Sequence, residues 1–140
     1  MEFYKLPLIS ETGLRTLQKG IQHEEHPMIH ELRIYTCLPG MLPALQQRFE
    51  TATLAIWERL GIRSLGFWTT MIGSSGNDLT YLLEWRSLAE REQKWAEFVA
   101  DREWQEAKAK SEADGQIVVN IASSLLQPTR FYRGFSKPSE

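Results

Sequence analysis

One cysteine, Cys37, in 140 residues excludes an internal disulfide framework. Histidine is scarce as well: His23, His26 and His30 are the whole supply. Their spacing is not His-Glu-x-x-His, and Pro27 interrupts any helix joining His26 to His30, so no metal or haem site is expected. Positive charge is not in excess. Sixteen Lys and Arg stand against eighteen Asp and Glu, a net charge of -2, which excludes a basic footprint for a nucleic-acid backbone. Long apolar runs are missing: Gly115 to Thr129, the longest uncharged stretch, is broken by Asn120, Ser123, Ser124 and Gln127, short of the roughly 18 apolar residues of a membrane span. No Gly-x-Ser-x-Gly elbow, phosphate-binding glycine loop or dinucleotide fingerprint occurs, and Gly73-Ser74-Ser75-Gly76 reads as a hairpin turn. No cofactor is expected. The first ten residues lack the pattern of a secretory signal, and the acids Glu2, Glu11, Glu24 and Glu25 disagree with a transit peptide, so the expected address is the cytoplasm.

What is present is one domain of ordinary globular composition, 42% apolar and 24% charged. Residues 1–27 read as an appended arm with a short helix inside Ser10 to Gln22; residues 28–132 form the regular domain, and 133–140 a polar tail. Met28 to Cys37 alternates as a strand, with Glu31, Arg33 and Tyr35 on one face and His30, Leu32, Ile34 and Thr36 on the other. Apolar residues at 41, 45, 49, 52, 56 and 60 predict a helix closed by Gly61. Arg63 to Ile72 and Leu79 to Arg86 predict a hairpin around the Gly73 to Asp78 turn. Leu88 to Ala113 predicts a charged helical region with Leu88, Trp95, Val99 and Trp104 facing the core and Asp101 capping a fresh turn. Ile117 to Leu126 completes the order βαββαβ.

That order is the α+β, ferredoxin-like arrangement, in which right-handed crossovers place both helices on one face of a four-stranded antiparallel sheet. The second and last strands are apolar on both faces: Leu65, Phe67 and Met71 oppose Trp68 and Ile72, and Ile117, Val119 and Ile121 oppose Val118, Ala122 and Leu126. Such strands need cover on the second face, and another copy of the same sheet is the simplest one. A homodimer with a sheet-to-sheet interior is expected, and Ile121→Asp is expected to disrupt it.

Met28-Ile29-His30-Glu31-Leu32-Arg33-Ile34-Tyr35-Thr36 followed by Pro39-Gly40, then Leu65-Gly66-Phe67-Trp68-Thr69-Thr70, Ser87-Leu88-Ala89-Glu90-Arg91-Glu92, Asp101-Arg102-Glu103-Trp104-Gln105 and Leu126-Gln127-Pro128-Thr129, in that order, resemble the NIPSNAP family over about residues 28–132. The resemblance implies two ferredoxin-like sheets packed as a dimeric α+β barrel. Related barrels include cofactor-independent monooxygenases, haem-dependent enzymes and isomerases, so an enzyme is permitted without being identified. Tyr81 stands where the family often has histidine and Leu83 where it has tryptophan, while Ala122 and Ser124 replace an acid and an arginine.

Glu31, Arg33 and Tyr35 recur at about 6.6 Å along one strand face. In a polar cavity the arginine would hold an anionic or carbonyl oxygen, the glutamate would move a proton and the tyrosine would donate to developing charge. The same residues would serve equally as an ion pair beside a packed tyrosine at the dimer seam. Trp68, Tyr81 and Trp85 would either stack a flat organic substrate or pack the core. Glu84 is a second carboxylate whose convergence with Glu31 would make an acid–base pair. Three functional classes follow: a homodimeric barrel binding a small organic molecule or a protein partner, a cofactor-independent monooxygenase or isomerase, and a non-catalytic interaction module.

Overall fold

The computed structural model describes residues 28–134. The expected arm at 1–27, with its short helix and with His23 and His26, lies outside the described residues, as does most of the tail.

Nine alternating residues form β1 (Ile29–Cys37). A helical stretch then runs as α1 (Leu42–Arg48), a π-helical turn (Phe49–Thr53) and α2 (Leu54–Leu60). The wider π turn has a clear use. Leu45, Phe49, Thr53 and Trp57 are all buried at steps of four, whereas an α-helix of 3.6 residues per turn would carry each about 40° farther round than the last. Arg48, the last residue of α1, is buried beside Phe49. Gly61 ends α2 in the left-handed region (φ 73°), its amide and that of Ile62 donating to the Glu58 and Trp57 carbonyls.

The hairpin of β2 (Arg63–Thr69) and β3 (Asp78–Trp85) follows. The strand expected to reach Ile72 stops at Thr69, which pairs with Leu79; Met71 and Ile72 belong to the connection and are exposed. The helical region divides into α3 (Leu88–Ala100) and α4 (Arg102–Ser111), because Asp101 adopts extended backbone and caps α4 by accepting from the Trp104 amide at 3.0 Å. Ser87 likewise caps α3 through the Glu90 amide. Leu88 and Val99, expected in the core, are exposed, whereas Phe98 is buried. The inward face of α3 is instead set by Arg91, Trp95 and Phe98, at steps of four and three. The last strand is β4 (Val118–Leu126).

The strands form one antiparallel sheet in the order β2-β3-β1-β4, the ferredoxin-like order expected from the sequence. Glu31, Arg33, Tyr35 and Cys37 of β1 and Leu79, Tyr81, Leu83 and Trp85 of β3 point into the buried side. Phe49, Trp57 and Phe67 close around Tyr81 with ring centroids 5.5 to 5.6 Å away. The opposite face carries Leu32, Ile34 and Leu82, with Trp68 beside them, and no helix of the described chain covers it. Gly66 shares that face: a Cβ there would fall 2.6 Å from the Trp68 ring, so its absence lets the indole lie along the strand.

At the sheet edge, β4 is exposed along most of its length. Its register places Ile121 opposite Tyr35, on the helix side rather than the open face, and half-exposed. The expectation that Ile121→Asp would bury an unpaired charge is therefore corrected.

Candidate functional site

The β1 alternation brings Glu31, Arg33 and Tyr35 together, but as a packed cluster. Arg33 donates from Nε to the Tyr81 hydroxyl at 2.8 Å, from one terminal nitrogen to Glu31 Oε2 at 3.3 Å and from the other to the Tyr35 hydroxyl at 3.2 Å. Its guanidinium lies 4.3 Å from the centre of the Trp95 ring. Glu31, 0% exposed, also accepts from Arg91 of α3, with Nε at 2.6 Å and a terminal nitrogen at 3.3 Å. A fully buried carboxylate is thus held by two arginines, which offsets the cost of removing its charge from water.

The protonation states follow from these contacts. Burial disfavours the Arg33 charge, but Tyr81, Tyr35 and Glu31 more than compensate and hold its pKa above the ordinary value. Burial and the neighbouring Tyr35 push the Tyr81 hydroxyl well up, against the pull of Arg33, so Tyr81 stays neutral. Burial also raises the Cys37 thiol, the opposite of nucleophile activation.

Of the other candidates, Trp85 is buried on the same side as Tyr81, and its indole N–H has no partner among the described residues. Trp68 pairs with Thr80 on the opposite face and is 47% exposed, so it does not join Tyr81 and Trp85. Glu84 also lies on that face, 3.9 Å from His30 and 3.7 Å from Arg63, and does not converge with Glu31. His30 is buried there beneath Tyr132, whose ring meets it edge-on at 5.2 Å. Among the described residues no group of three or more His, Cys, Asp and Glu is placed to hold a metal.

Sequence reasoning missed Arg91, sixty residues from Glu31, because nothing local announces that pairing. It also missed Arg48, whose burial depends on what α4 and β4 bring against it. Arg48 sits at the base of a cleft of about 550 Å³ between α1, α4 and β4, lined also by Tyr35, Trp104, Lys108, Glu112 and Ile121. The cleft exists because the helix layer covers β1 and β3 but leaves β4 open.

The open-faced sheet and its helix layer define the class: a ferredoxin-like α+β domain with one bare sheet face. The NIPSNAP family model matches residues 30–133, and the chain belongs to that family. It is similar to an uncharacterised NIPSNAP-like domain protein from Burkholderia xenovorans, at 29% identity and a TM-score of 0.68 over 81% of this chain and 97% of that one. It is also similar to a NIPSNAP family protein of unknown function from Agrobacterium tumefaciens, at 24% identity and a TM-score of 0.69 over 81% and 98%. A dimeric protein of unknown function with a ferredoxin-like fold, from Bacteroides fragilis, shares the architecture at 13% identity and a TM-score of 0.51, over 71% and 95%. No curated protein matches the chain. No helix among the described residues is long and apolar enough to cross a membrane.

Proposed function

We propose that this chain is a homodimeric binding domain, assembled through the open face of its sheet and holding a small organic molecule in the cleft beside β4. The observation that carries the reading is the unequal cover of the sheet. Beneath the helices, the groups of Glu31, Arg33, Tyr35 and Tyr81 bind one another and brace the core. Beyond the edge of that layer, the cleft joins the buried Arg48 to the aromatic wall of Trp104. Its volume suits a small ligand. On the other face Leu32, Ile34, Leu82 and Trp68 offer an apolar surface to a second sheet, and the similar fold from Bacteroides fragilis is itself dimeric. A twofold pairing of these faces would make the barrel that the family resemblance implies.

Native mass spectrometry of the full chain tests both halves. The expected species is a dimer, with added mass released on denaturation. A monomer at low micromolar concentration would overturn the assembly. A bare dimer in which no small aromatic or aliphatic molecule perturbs Trp104 would overturn the binding role.

A further inference from the structure

We infer that the molecule held in the cleft carries a carboxylate, and that Arg48 is the residue that grips it. This rests on the binding role proposed above and names the chemistry of the guest.

Arg48 is 5% exposed, a depth at which a charged side chain ordinarily has close partners. Its partners are weak. One terminal nitrogen reaches Ser111 Oγ at 3.2 Å and Glu112 Oε1 at 3.5 Å, whereas a direct arginine–carboxylate contact is about 2.7 to 2.9 Å. Its buried Nε–H has no partner among the described residues. The guanidinium lies 5.2 Å from the centre of the Trp104 ring. Here a buried cation has spare planar donor capacity in a cleft large enough for a guest, and a carboxylate supplies two oxygens in the matching geometry.

The remaining lining narrows the class. Arg48 and Lys108 against Glu112 leave one surplus positive charge, which suits a monoanion better than a phosphate dianion. Trp104, Val118 and Ile121 offer apolar surface for the body of the molecule. The Glu112 side chain is 28% exposed, so it can move outward as the guest arrives. Glu112 is therefore a competitor for Arg48, occupying part of the place that the ligand's carboxylate takes.

The test uses the full chain with benzoate, its neutral counterpart benzamide and phenyl phosphate as probes, followed by the NMR signal of the Trp104 indole N–H. Benzoate is expected to shift and saturate that signal, with benzamide and phenyl phosphate each at least about tenfold weaker. Arg48→Met should weaken benzoate about tenfold or more while the circular dichroism spectrum stays folded. Glu112→Gln, which removes the competing charge and leaves Arg48 in place, should tighten it, and this variant keeps the test open if Arg48→Met fails to fold. Equal binding of benzamide and benzoate would overturn the carboxylate inference while preserving the binding role. Preference for phenyl phosphate would overturn the choice of anion. Unaltered benzoate binding in both variants would overturn the assignment to Arg48, and no shift with any probe would overturn the inference and the binding role together.

Discussion

Glu31 and Arg91 are joined across sixty residues of sequence: Arg91 Nε donates to Glu31 Oε1 at 2.6 Å, tying α3 to the centre of the sheet. Arg33, two residues along β1, holds the other carboxylate oxygen. The three side chains thereby fix how the helix layer sits on the strand that carries half of the candidate pocket residues.

Removing the negative charge at the centre of this cluster leaves two arginines facing one another. Glu31→Gln is expected to destabilise the fold by roughly 3 kcal/mol, the scale on which breaking a buried ion pair is felt. Urea unfolding followed by circular dichroism measures it. A loss below about 1 kcal/mol, the value of an exposed pair, would contradict the bracing role.

Glu90 links acid stability to the start of α3. Burial disfavours its charge, but the Arg86 amide, Lys94 and Arg63 outweigh that and bring its pKa from the ordinary 4.5 to about 2. A group whose folded pKa is depressed adds stability above its unfolded pKa and loses it as pH falls through the folded one. The melting temperature of Glu90→Gln should therefore lie below that of the wild type at neutral pH, and the gap should close as pH falls from 4.5 to about 2. A gap that stays constant across this window would show that Glu90 acts through something other than its charge.

The open face makes a sharper assembly test than the sheet edge. Ile34 lies between Leu32 and Thr36 on that face and pairs with Thr80 and Ala122. An aspartate there would be trapped in an apolar seam, so Ile34→Asp should sediment as a folded monomer. Ile121→Asp, on the half-exposed helix side of β4, should remain a dimer. Dimeric Ile34→Asp at low micromolar concentration would exclude this face as the interface.

Cys37 is buried, and its thiol is pushed up by that burial. It should react with a thiol reagent very slowly in the folded protein and at the ordinary rate in denaturant. Fast labelling of the native chain would mean that this end of β1 opens far more readily than its packing indicates.

The elements and their order are legible in the residues because the signals are local. Alternation in Ile29–Cys37, the stripe through Leu45 and Ile56, the hairpin turn, and the caps at Gly61 and Asp101 each need only a few neighbours. Where the reading failed, a nonlocal fact decided. Trp68 looked like a companion of Tyr81 and Trp85, but β2 pairs with β3 in a register that sends it to the other face. Leu88 and Val99 fit a helical stripe, yet the sheet meets α3 at Arg91, Trp95 and Phe98.

For the candidate site, the sequence alone determined that Glu31, Arg33 and Tyr35 share one strand face, since side-chain direction in a strand has period two. Only the tertiary structure decided what that face meets. Packing delivered Arg91, Tyr81 and Trp95 to occupy its polar groups, and it set Arg48, at the end of α1, beneath the open edge of β4, where a buried positive charge faces a cleft. Such encounters depend on register and on how far the helix layer extends, and a short window of sequence encodes neither.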